Sequence, residues 1–164
     1  MFIEYFVMNQ VEYLEWVPIG KFIKAAILVL VFFIISVMIL VLIFIQPFDA
    51  ETFIDYAVPL GLLVFILFLL GNFRGIKIRI DSEKLSLKYG LFNSKSIMLS
   101  EIDSCKEVKA SFRRFGGVGV RYGFDRSYAY TTSFGNAVEI TPKRGRPFIF
   151  SSKYPNKICQ LISK

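Results

Sequence analysis

The hydropathy pattern divides the chain into two unlike halves. Ala25 to Ile45, AAILVLVFFIISVMILVLIFI, carries no charge. As a helix rising about 1.5 Å per residue, it spans the roughly 30 Å of bilayer hydrocarbon. A second apolar run, from about Ile54 to Leu70, follows the short acidic connection QPFDAET. It has Asp55 at its outer end and holds Pro59 and Gly61, both tolerated in membrane helices, with a bend expected near Pro59. So short a connection predicts an antiparallel helical hairpin.

From Ile76 onward the pattern changes to the two-residue alternation of strands. IKIRID (Ile76 to Asp81) and KLSLKYG (Lys84 to Gly90) flank a tight turn and predict a β-hairpin. KSIMLSEI (Lys95 to Ile102), SCKEVKASF (Ser104 to Phe112), YAYTTS (Tyr128 to Ser133), AVEIT (Ala137 to Thr141) and PFIFSS (Pro147 to Ser152) bring the count to seven short strands. Pro155 and Asn156 then open a C-terminal helix with Ile158, Leu161 and Ile162 on one face. Antiparallel strands with one buried face protect their edges by closing into a small barrel or sandwich.

The segment ahead of the membrane runs, residues 1–24, mixes aromatics with Glu4, Glu12 and Glu15, and Pro18 breaks it from the first span. It reads as a short interfacial helix, with Tyr13 and Trp16 as amphipathic rings at the membrane surface. It has neither the basic start nor the small-residue cleavage site of a signal peptide. The expected organisation is therefore an interfacial segment at 1–24, two transmembrane helices within 25–71 (about 25–45 and 54–70), and an extramembrane domain at 72–164.

Charge orients this arrangement. Asn72 to Lys164 holds 18 Lys and Arg against 7 Asp and Glu, while Met1 to Gly71 holds 2 against 6. Lys21 and Lys24 precede the first span, and Arg74, Lys77 and Arg79 follow the second. The connection between them carries Asp49, Glu51 and Asp55 and no cation. The positive-inside rule then sets a two-pass protein of the cell membrane with both termini cytoplasmic. Tyr13, Trp16, Lys21, Lys24, Arg74 and Lys77 are the candidate membrane-interface anchors.

Candidate chemistry is sparse. The chain has no histidine, which removes the commonest general base and metal ligand. Cys105 and Cys159 lack CxxC spacing, which argues against a zinc site. They read as buried small apolar residues in a reducing cytoplasm, rather than as a disulfide or reactive thiol. Asp81, Glu83, Glu101, Asp103, Asp125 and Glu139 are scattered, and nothing converges on a nucleophile–base pair. Neither an enzyme nor a cofactor is expected.

RRFGGVGVRYG (Arg113 to Gly123) is the one stretch that suggests a ligand. Tyr122 stands where the third glycine of GxGxxG would fall, and no GK[ST] follows, so the phosphate-cradling motifs do not fit. The stretch reads as a basic loop whose glycines permit positive φ. Arg113, Arg114, Arg121 and Arg126 are the candidate anion- or lipid-facing residues. Nucleic acid is not an expected partner, because the aromatics sit in apolar runs rather than between arginines.

Two membrane helices followed by strands and a C-terminal helix resemble the prokaryotic pleckstrin-homology (PH)-like membrane proteins. The resemblance runs through GLFNSKSIMLSEI, the FGGVGVR loop and AYTTSFGNAVEITPKRGRPFIFSSKYPNKI, covering roughly Ile76 to Lys164. It implies an all-β PH-like barrel of about seven antiparallel strands, capped by the helix, and no reaction. The expected function is a non-enzymatic membrane-anchored binding or scaffold module. It would engage the lipid bilayer, anionic headgroups and a membrane or cytoplasmic protein partner, with room for a homo-oligomer. The alternative is an accessory subunit of a larger membrane assembly (transport, envelope stress or immunity) with the helical hairpin as its interface.

Overall fold

The computed structural model describes residues 11–44 and 50–163. The chain folds as two compact units. One is Ile19–Arg74; the other combines the chain up to Pro18 with Gly75–Lys164.

The first unit holds α1 (Lys21–Phe44) and α2 (Ala50–Asn72). Within α1, Lys21–Val41 is long and apolar enough to cross a membrane, with a mean hydropathy of 2.9. α2 contributes a shorter apolar stretch, Ala57–Asn72, and Pro59 sits inside the helix without ending it. Phe22, Phe32, Phe33, Phe44, Phe65 and Phe68 are all exposed. Asp49 and the side chains of Glu51 and Asp55 lie outside the described residues.

The second unit opens with the first correction. The expected interfacial helix is, over its described part, a strand, β1 (Val11–Pro18). It pairs antiparallel with β2 (Gly75–Asp81) from Val11↔Asp81 to Pro18↔Gly75. The ladder continues for one more bond, from Ile19 N–H to the Arg74 carbonyl at 3.0 Å. β3 (Lys84–Tyr89) and β4 (Asn93–Met98) complete a four-stranded sheet in the order β1-β2-β3-β4. The chain before the helices and the chain after them thus share one sheet. The unit's own boundaries are Pro18 and Gly75, and the helices are an insertion between two paired neighbours.

Alternation explains why β1 is a strand and why it does not look like one. Tyr13, Glu15 and Val17 point inward, while Glu12, Leu14 and Trp16 point outward. The inward row faces Ile80, Ile78 and Ile76 of β2. Glu15 thus occupies a core position and is only 6 % exposed. A buried carboxyl is tolerated only where donors surround it. Here the Tyr13 hydroxyl donates at 2.9 Å, the Ser152 hydroxyl at 2.8 Å and the Lys153 N–H at 2.6 Å.

The second sheet contains β5 (Ile102–Ala110), β6 (Gly119–Tyr122), β7 (Tyr128–Thr131), β8 (Gly135–Pro142) and β9 (Phe148–Ser151). Its order is β5-β8-β9-β7-β6. Two expectations are corrected here. Nine strands are present among the described residues, β1 and β6 being additional to the seven expected, and β7 runs parallel to β9. The sheets also do not close into a barrel. After a 3-10 turn at Leu99–Glu101 the chain enters β5, which pairs with β8 and not with β4.

The inner faces meet through aromatic rings. The Tyr89 and Tyr130 ring centroids are 5.8 Å apart, and Phe148 packs edge-on to Tyr130 at 5.0 Å. Ile76, Ile78, Ile80, Leu85 and Leu87 from one sheet, and Val138, Ile140 and Phe150 from the other, are almost wholly buried. The closing helix, α4 (Pro155–Ile162), lies on β5 and β8 with Ile158 fully buried.

That packing overturns the reading of the cysteines. Cys105 lies on the same face of the sheet as its cross-strand partner Ile140, and α4 brings Cys159 against it. The two form a disulfide across 54 residues of sequence.

Glu15 supplies a test of this architecture. Replacement by Ala leaves three donors without an acceptor, each costing about 1–3 kcal/mol when unmade. After relaxation and water entry, Glu15→Ala should lower the unfolding free energy by about 2–4 kcal/mol in urea titrations of the full chain in detergent. A change within about half a kcal/mol, as at an ordinary surface site, would deny Glu15 this role.

Candidate functional site

The Arg113–Gly123 stretch is not a free loop. Its first part forms a single helical turn, α3 (Phe112–Phe115). The Ser111 hydroxyl caps it by accepting from the Arg114 N–H at 3.3 Å. Gly116 ends it with φ 65°, and its N–H returns to the Phe112 carbonyl at 2.6 Å. Only a residue without a β-carbon takes that conformation freely. Gly117 and Gly119 also have positive φ, as expected of the stretch, and β6 follows at once.

A hydrophobic anchor holds the turn down. Phe115 is buried on the outer face of the second sheet among Ala110, Ala129, Ala137 and Ile149, with Val108 beside it. The small side chains leave a hollow of about ring size. Phe112 is exposed and meets Phe134 edge-to-face at 6.0 Å.

The four candidate arginines have different fates. Arg114 is bound internally. Its guanidinium reaches Asp125 at 2.6 Å and Glu139 at 2.8 Å, tying α3 to the β6–β7 turn and to β8. Burial alone would lower the Arg114 pKa, but the hydrogen bonds to Glu139 and Asp125 outweigh it and hold it above the ordinary value. Burial likewise works against the Asp125 carboxylate. Hydrogen bonds from Ser127 and Arg114 prevail, and its pKa lies below the usual 3.8. Arg114 is thus a structural cation whose charge is already matched.

Arg113, Arg121 and Arg126 are exposed. Arg121 Nε donates to the Val118 carbonyl at 3.1 Å. Arg126 sits in the β6–β7 turn, at the opposite end of that hairpin from the Gly119↔Thr131 pair. It is the one described non-glycine residue with positive φ, at 65°. The Asp125 carboxylate fixes this turn by accepting from both the Ser127 N–H, at 3.1 Å, and its hydroxyl, at 2.5 Å. Gly123 is obligatory here, since a β-carbon would collide with the Asp125 carboxylate and the Ser127 hydroxyl. Of the four arginines, Arg114 is held by two carboxylates, and the Phe124 N–H bonded to the Arg114 carbonyl at 3.3 Å sets the turn that carries Arg126 against α3.

The expected interface anchors also divide. Tyr13 is buried on the core side of β1, with Lys157 Nζ 5.3 Å from its ring centre. Burial and its bond to Glu15 push the phenol pKa up. Trp16 points outward and is half exposed, as are Lys21, Lys24, Arg74 and Lys77. Tyr89 and Tyr130 are each pushed up to about 12, chiefly by burial. Both rings pack where the two sheets meet, 5.8 Å apart.

An open depression of about 500 Å³ beside the start of α4 is lined by exposed side chains, among them Glu107, Asn136, Lys153, Tyr154, Lys157 and Gln160. No buried polar group points into it to fix a ligand's orientation. Nothing matches this chain among protein-family models, curated proteins or solved structures.

On the first sheet Lys77, one of the expected anchors, shares a further surface with residues that the sequence did not single out. Lys77 and Lys88 are cross-strand partners on the outer face, and the β3–β4 turn exposes Leu91 and Phe92.

Two substitutions test the assignments in the loop. Arg114→Gln should lower stability by about 1–2 kcal/mol, toward the lower figure because water screens the half-exposed Asp125. The lowered Asp125 pKa stabilises the fold fully above 3.8 and loses that effect as pH falls from there through the folded-state value. The gap between wild type and Arg114→Gln should therefore narrow in acid unfolding. Arg126→Gly should raise stability by about half a kcal/mol, as relief of about 1–2 kcal/mol of left-handed strain exceeds an entropic cost of about 0.5–1 kcal/mol. A fall in thermal midpoint would mean that the Arg126 side chain holds the turn.

Proposed function

We propose that this protein is a non-enzymatic, membrane-anchored binding module whose β-sheet unit works at the cytoplasmic leaflet. The observation that carries this reading is the insertion of α1 and α2 between the paired strands β1 and β2. A hydrogen bond joins Ile19 to Arg74, so both ends of the insertion stand on the same side of any bilayer. The segment between them must then cross an even number of times. α1 is apolar enough to cross once, and only α2 remains for the return. The exposed phenylalanines of both helices favour lipid as their surroundings. We read the segment as two-pass.

Two signals bear on the compartment of the β-sheet unit, and they conflict. Lys21, Lys24, Arg74, Lys77 and Arg79 lie within about 15–20 residues of the membrane ends, where cations orient a protein. The Cys105–Cys159 disulfide is of a kind uncommon in a reducing cytoplasm. We give precedence to the charges, because the connection on the other side carries no cation at all. The disulfide is then a bond that forms when the surroundings become oxidising.

The expected ligand class remains anionic headgroups, with about 1 kcal/mol gained per cation near the leaflet. The PH-like resemblance stays part of the proposal: a helix packed on β5 and β8 is compatible with it, while the parallel β7–β9 pair departs from an antiparallel barrel.

The reading is checked in cells. Protease outside intact cells should spare the β-sheet unit, and inverted vesicles should lose it. A permeant alkylating agent applied before lysis should trap Cys105 and Cys159 as thiols. External cleavage together with a bond already formed in the cell would reverse the orientation.

A further inference from the structure

The exposed turn between β3 and β4 stands at a particular end of its sheet. Gly75 follows α2 directly, and Ile76 pairs with Tyr89. Gly90 therefore falls opposite Gly75, one strand spacing of about 4.8 Å away, and about 10 Å from Pro18 two strands over. Pro18 and Gly75 are the residues through which the chain enters and leaves the inserted helices. Strand register alone thus sets Leu91 and Phe92 one step beyond the level at which the helices are attached.

Leu91 and Phe92, adjacent large apolar residues at this turn, are 69 % and 74 % exposed. One row back, on the outward face, lie Trp16, Lys77, Lys88 and Ser94 in successive register. Trp16 packs across Gly75 and remains half exposed, and both lysines are exposed. Lys77 and Lys88 face each other as Cα partners, a repulsive pair that an anionic surface would relieve. No carboxylate occurs between Glu83 and Glu101, and neither lysine forms an ion pair among the described residues. An apolar tip followed by a collar of tryptophan and lysine is the profile of a segment in the headgroup layer, with the tip in the upper acyl chains.

We propose that the Gly90–Phe92 turn is a third attachment to the bilayer, inserted into the same leaflet that α1 and α2 enter, with Trp16, Lys77 and Lys88 on anionic headgroups. The proposal rests on the two-pass membrane reading. It explains why the tip is apolar although the sheet needs only a tight turn there.

The test uses the full chain in vesicles of equal parts phosphatidylglycerol and phosphatidylcholine bearing brominated acyl chains. Trp16, the single tryptophan, is changed to Phe so that an introduced indole reports alone. Phe92→Trp should emit to the blue of an indole in water and be quenched most by bromines near the glycerol end. Leu91→Trp should behave alike and guards against a local disturbance from the first substitution. Phe33→Trp, in the middle of α1, should be quenched most by bromines near the chain ends. If Phe33→Trp is quenched while both turn reporters stay open to aqueous iodide, the third attachment is wrong and the membrane reading stands. Loss of quenching at all three positions would overturn both. Shielding of the turn in native membranes but not in lipid vesicles would assign it to a protein partner and overturn the proposal.

Discussion

The buried carboxyl of Glu15 is the contact on which the arrangement of the β-sheet unit turns. β1 reaches its neighbours across a gap of 56 inserted residues, Ile19–Arg74, so chain connectivity contributes little to holding it in register. The ladder to β2 and the row of Tyr13, Glu15 and Val17 against three isoleucines hold one side. On the other, Ser152 and Lys153 donate to Glu15 from the end of β9. One side chain near the start of the chain thus joins the first sheet to the segment that leads into α4. An apolar residue would pack against the isoleucines equally well but would leave those donors unmet.

Strand register also sets the ends of the helical insertion. Because β1 and β2 are neighbours, the two ends of the helical insertion are fixed side by side. The cost of bringing the ends of so long an insertion together grows only slowly with its length. The same register sets the β3–β4 turn at the end of the sheet where Pro18 and Gly75 lie.

Where alternation pointed in the usual direction, the fold was legible in the sequence. Ile76, Ile78 and Ile80 in β2, and Leu85, Leu87 and Tyr89 in β3, alternate with charged or hydroxyl residues and are all buried. β1 was not legible because its alternation is inverted: Glu15 lies inward and Leu14 and Trp16 outward, which reads as an interfacial helix until the donors from Ser152 and Lys153 are known. β6 was hidden among glycines, whose weak strand preference is overridden by pairing with β7. The disulfide was equally hidden, since sequence separation says nothing of where α4 will lie. The candidate site was legible in composition but not in role. Arg113 and Arg114 are adjacent in sequence, yet Arg114 is spent on Asp125 and Glu139 while Arg113 is exposed. Which of two neighbouring arginines faces water depends on how Phe115 anchors the turn, and that depends on three alanines contributed by three different strands.

The same reasoning separates the two basic regions of the unit. Cations in the Arg113–Arg126 stretch stand on a segment stitched down by its own acids, and Asp125 and Glu139 cancel part of its charge. Lys77 and Lys88 have no such company; they oppose each other on an open face, on strands rigid enough to hold them there. Pairing holds the two lysine stems opposite each other on one face, where a single counter-charge can meet both. Arg113, Arg121 and Arg126 stay exposed as well, so charge remains for a partner in both regions, set in cross-strand register on the sheet face.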